Sequence, residues 1–91
     1  MKFLLGRILA TPGALVLLDF HGVNPADLLE RHVKGDWGDL DAEDKATNDL
    51  AVTSGDRILS VYKVGPGKDD RVWIITEYDR SVTTILRPDE Y

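Results

Sequence analysis

The sequence predicts an α+β domain in which about three N-terminal helices pack on one face of a C-terminal three-stranded antiparallel meander. Three observations carry this. Thr11-Pro12 and Asn24-Pro25 are helix starts, each followed by an apolar stretch that ends at a glycine. Between residues 57 and 86, runs rich in Val, Ile, Thr and Trp are broken by polar turn clusters. The chain has 91 residues, 43% of them hydrophobic, which suffices for one core and a single domain, 1–91.

Taken in order, Phe3 to Leu9 reads as a short N-terminal edge strand. Pro12 to Phe20 is apolar nearly all round, so a buried helix is expected, with Gly22 as its stop. In the second helix Leu28, Leu29, His32 and Val33 form a stripe, Glu30 and Lys34 form an i, i+4 pair, and Gly35 ends it. Asp39 or Asp41 caps a third helix that runs to about Ser54 and closes at Gly55, with Glu43 and Asp44 in its first turn. Arg57 to Val64 and Arg71 to Tyr78 are strands around the loop 65–70.

If Asp79-Arg80 is a two-residue turn, Trp73 pairs with Leu86, Ile74 with Ile85 and Thr76 with Thr83. The face with Trp73, Ile75, Val82 and Leu86 is the more apolar and is expected to meet the helices. The face with Val72, Ile74, Ile85 and the threonines is half apolar, as a dimer or partner surface would be.

Composition excludes several functions. With no cysteine there is neither a disulfide nor a thiolate metal site. The net charge of −5 argues against unspecific nucleic-acid binding and favours solubility and a basic or neutral protein partner, while the half-apolar sheet face leaves a homodimer open. Arg7 and Pro12 interrupt the apolar N-terminus, so a folded segment is expected there rather than a signal or membrane span. A cytoplasmic location follows as the expectation.

No cofactor or metal is expected. There is no Gly-x-Ser-x-Gly elbow, and Gly65-Pro66-Gly67 opens a strand instead of a phosphate-cradling helix. An EF-hand loop from Asp39 would need glycine at Asp44 and glutamate at Leu50. Helix capping accounts for that acidic run. His21 falls at a helix end, and His32 reads as a partly buried core residue.

Two places remain as candidate sites. Trp37, flanked by Asp36 and Asp39, either plugs the gap between two helices or anchors a partner from an acidic loop. At the last turn, Tyr78 and Asp79 are further interaction candidates. Glu77 shares a face with Trp73 and Ile75, so it lies either at a sheet margin in water or in a site that uses it. In the enzymatic alternative Glu77 is a general base, and Arg80 or Arg57 binds an anion.

Gly35-Asp36-Trp37-Gly38-Asp39-Leu40, Glu43-Asp44-Lys45, Arg57-Ile58-Leu59-Ser60, Trp73 to Glu77 and Asp79 to Leu86, with Ala10 to Leu15, together carry a resemblance. Over nearly its whole length the chain resembles small bacterial "plasmid-related" proteins of uncharacterised function. The resemblance implies a bacterial intracellular protein linked to plasmids or mobile elements. Asp56 to Ser60 followed by a hairpin is similar to RelE-type and barnase-like ribonucleases, but Asp79 lies where their catalytic histidine would be. The favoured reading is a non-enzymatic interaction or accessory protein, with a toxin-related nuclease as the alternative.

Overall fold

A computed structural model describes all 91 residues. In chain order the elements are β1 (Arg7–Ala10), α1 (Pro12–Phe20), α2 (Pro25–Val33), α3 (Ala42–Ser54), β2 (Ile58–Lys63), β3 (Arg71–Thr76) and β4 (Val82–Leu86). A single 3-10 turn, Pro88–Glu90, follows. The α+β class and the three helices are as expected. The sheet is not a three-stranded meander: it has four strands in the order β1-β4-β3-β2, and β1 runs parallel to β4. β1 begins four residues later than expected, because Phe3 leaves the sheet plane to fill a core beside Trp37, Ala51 and Ile58.

The helix starts are capped as the sequence implies. The side chains of Thr11, Asn24 and Asp41 accept from the amides of Ala14, Ala26 and Asp44, each cap being worth about 1 kcal/mol. The C-terminal Glu90 adds to the first of these. Its carboxylate accepts from the Thr11 hydroxyl at 2.7 Å, placing negative charge at the start of α1.

The antiparallel register is as expected, with Trp73 opposite Leu86, Ile74 opposite Ile85 and Thr76 opposite Thr83. The face assignment is reversed. Ser60, Tyr62, Val72, Ile74, Thr76, Thr83 and Ile85 meet the helical layer and are at most 1% exposed. Trp73, Ile75, Val82 and Leu86 lie on the other side, where the Tyr91 ring sits 5.6 Å from Trp73. Apolar content pointed the wrong way because the hydroxyls of the inner face all find partners, which removes their cost of burial.

The last turn is also longer than two residues. Glu77 N–H donates to Val82 O, so the loop is Tyr78–Ser81, and Arg80 takes a left-handed backbone with φ 60°. Its guanidinium fixes that conformation by donating to the carbonyls of Ala51 (2.8 Å), Asp56 (2.6 Å) and Glu77 (3.2 Å).

β2 forms one edge of the sheet, and that edge is closed. The Asn48 side chain donates to Leu59 O at 2.6 Å and accepts from Leu59 N at 3.2 Å, as a neighbouring strand would. Two residues on, Val61 N donates to Trp37 O and Asp39 N donates to Val61 O. This parallel bridge requires glycine at 38, where φ is +80° and a Cβ would overlap the Val61 carbonyl.

Gly38→Ala is therefore expected to cost roughly 2–3 kcal/mol. The measurement is the urea midpoint against wild type; an unchanged midpoint would show that the bridge contributes nothing.

Candidate functional site

The Trp37 loop is built into the fold. Trp37 is 3% exposed, its indole N–H donates to Asp49 Oδ1 at 2.9 Å, and its ring stacks on Phe3 with centroids 6.1 Å apart. The indole therefore plugs the gap between α2 and α3 and presents no ring to solvent. Its neighbours Asp36 and Asp39 remain exposed, and each is paired. Asp36 accepts from Arg31 Nε at 2.6 Å, and that guanidinium holds the Asp36 carboxyl below the usual carboxylate range. Asp39 accepts from Arg71 and lies 3.9 Å from Lys63 Nζ.

The β3–β4 turn does not assemble a catalytic constellation. Glu77 is half-buried at the margin of the outer face and has no cation within ion-pair distance. Arg80 has its terminal nitrogens turned to three backbone carbonyls. Arg57 donates to the Tyr91 hydroxyl and lies over the Tyr91 ring. Tyr78 is 67% exposed, and Asp79 accepts from both the amide and the hydroxyl of Ser81, which holds its carboxyl low.

The polar centre of the molecule is a residue that the sequence places only partly in the core. His32 on α2 is fully buried, with Nδ1 2.6 Å from Ser60 Oγ and Nε2 2.9 Å from Thr76 Oγ1. Thr76 Oγ1 is 2.8 Å from Thr83 Oγ1, which donates to Leu5 O at 2.7 Å. Proton positions follow from that terminus. The carbonyl only accepts, so Thr83 donates to it and accepts from Thr76, and Thr76 accepts from His32 Nε2–H. His32 Nδ1 is then the acceptor for Ser60.

The imidazole is neutral in this chain. Burial, and secondarily the charge of Arg80, push its pKa down to about 4. The Phe3 and Trp37 rings pack edge-on against it at 5.1 and 6.0 Å between centroids. Sealed on every side, this Ser–His–Thr chain has no access for a substrate. One signal could have found it: Ser60, Thr76 and Thr83 fall on one face by strand alternation, and that face needs a polar partner if it is buried.

His21, the other imidazole, lies with Nε2 3.3 Å from Asp70 Oδ1, within ion-pair distance but off hydrogen-bond geometry. No three His, Asp and Glu side chains converge to hold a metal ion.

The surface feature left without a partner is β1. Arg7 N and Thr11 N donate to Ser81 O and Ile85 O, so the odd-numbered residues of this strand face β4. By alternation the backbone groups of Ile8 and Ala10 point to the free edge. Ile8 and Leu9 side chains there are 51% and 43% exposed, and Leu4 just before them is 68% exposed. Directly after Thr11, α1 buries Ala14, Leu17 and Leu18 but exposes Leu15, Val16 and Phe20. The buried helix expected from a nearly all-round apolar sequence is thus half exposed, because the sheet covers only one of its sides.

Compared with family models, curated proteins and solved structures, the chain matches none. No helix is long and apolar enough to cross a membrane.

The neutral His32 makes stability depend on pH with a definite sign. Its folded-state pKa, about 4, lies below the ordinary 6.5, so an unfolded chain takes up the proton first as pH falls. The contribution is complete above pH 6.5 and is lost toward pH 4, amounting to about 3 kcal/mol. Urea midpoints at steps from pH 7.5 to 4.5 should fall in wild type and flatten in His32→Gln. Equal slopes in the two proteins would refute the neutral assignment.

Proposed function

We propose that this chain is a non-enzymatic protein-interaction or accessory protein whose partner adds to the open edge of β1. One observation carries the reading, the unequal treatment of the two sheet edges. The β2 edge is closed by Asn48, Trp37 and Asp39. The β1 edge carries no such cover, no proline and no lysine, and it displays Ile8 and Leu9. An open strand edge with apolar side chains is a template for another strand, so folded proteins close such edges unless they use them.

A second copy of the chain fits this edge by symmetry. In an antiparallel pair centred on Leu9, Ile8 would oppose Ala10 of the other copy, so both residues with free backbone groups meet. No like charges are opposed in that register. The link to plasmids or mobile elements rests on likeness of sequence to the "plasmid-related" proteins and stands as part of the proposal.

The test compares wild type with Ile8→Lys, a substitution that places a guarding charge on the edge at a residue 51% exposed. Light scattering over a concentration series should show wild-type association and a monomeric variant with an unchanged melting temperature. If wild type is strictly monomeric, the homodimer form is withdrawn. If any partner binds the lysine variant as tightly as wild type, the edge reading itself fails.

A further inference from the structure

On the helix-free face of the sheet, between the β2–β3 loop and the C-terminal 3-10 turn, lies an open groove of about 500 Å³. Its floor is Val61 and Trp73, which are register partners on β2 and β3. Lys68, Arg71 and Arg87 line it, against the carboxylates of Asp69 and Asp89. Asp39 also accepts from Arg71, so the groove sets three cations among carboxylates on an acidic chain of net charge −5.

The hydrogen bonding of these cations is incomplete. Arg71 donates from Nε to Lys68 O at 3.1 Å and from one terminal nitrogen to Asp39, which leaves the other terminal nitrogen without a protein acceptor. Arg87 is more unusual. Its Nε is shut off from solvent and has no acceptor, and the nearest carboxylate oxygen, on Asp89, is 3.8 Å away. A buried donor without an acceptor is costly and rare in folded proteins. The terminal nitrogens of the same Arg87 side chain, which is 34% exposed, also make no hydrogen bond within the protein and are open to an anion in the groove. Guanidinium forks suit the paired oxygens of phosphate or carboxylate, and an indole suits a flat ring.

We infer that this groove binds a small molecule made of a flat ring carrying a phosphate or carboxylate group, with the ring against Trp73 and the anion between Arg71 and Arg87. The volume lies within the range of small-ligand sites. The site is separate from the β1 edge: Trp73 lies on β3 and faces away from the helices, with β4 between it and β1. The inference does not depend on the interaction reading.

The two indole N–H resonances give the readout, since Trp37 is buried and Trp73 lines the groove. Four probes divide the chemistry: adenosine monophosphate, benzoate, adenosine and inorganic phosphate. A ring-bearing anion should shift the Trp73 signal saturably, with half-saturation below about 1 mM, and leave Trp37 in place. Phosphate carriers and carboxylate carriers are told apart by which of the first two binds more tightly. Arg87→Gln retains the bond from the Arg87 backbone N–H to the Glu90 carboxylate and should weaken binding at least roughly tenfold, a loss of about 1.4 kcal/mol. Lys68→Gln, on the loop, should weaken it less. Absence of saturation with both ring-bearing anions overturns the inference, as does equal binding of adenosine alone or a response unchanged in Arg87→Gln.

Discussion

A fully buried imidazole must satisfy two ring nitrogens without water, and in this fold that requirement organises the interior. His32 obtains one partner from β2 and one from β3, and the second partner is relayed through β4 to the carbonyl of Leu5. One hydrogen-bonded chain therefore joins the N-terminal segment, α2 and three strands. A slip of one residue in any strand would turn its hydroxyl to the other face and leave a donor or acceptor unpaired in the core. The register is thus set by polar satisfaction as well as by apolar packing. Arg80 extends the same logic to the periphery, where one guanidinium ties the end of α3 to the last turn and holds Phe3 beneath it.

The two edges of the sheet reveal opposite solutions to a single problem. At β2 the chain uses a side-chain amide and a glycine-dependent bridge to occupy the outward backbone groups. At β1 it leaves them free and surrounds them with aliphatic side chains. Trp37 and Asp39 therefore belong to edge closure. The open edge is the opposite one of the sheet, next to a helix that is apolar on both its inner and outer sides. The helix-free face adds a third environment, where cationic side chains stand beside an aromatic floor, in a protein that is acidic as a whole.

Much of this was legible from local rules. Caps at Thr11, Asn24 and Asp41 and the stops at Gly22, Gly35 and Gly55 bound the helices where local chemistry places them. The pairing of Thr76 with Thr83 followed from matching like with like across a turn, although that turn proved longer than two residues. The buried face was misjudged because counting apolar side chains takes no account of hydroxyls that a distant histidine can satisfy. The parallel pairing of β1 with β4 was out of reach for a related reason. It joins residues more than seventy positions apart, and the four residues of β1 have no periodicity of their own to declare it.

The sequence by itself determined the element types, the helix boundaries and the hairpin register, because each depends on neighbours a few residues away. Tertiary structure alone decided which sheet face is the core, which edge stays open and which charges meet in the groove. Those outcomes depend on long-range hydrogen-bond satisfaction and strand order, which bring together residues that carry no local mark of one another.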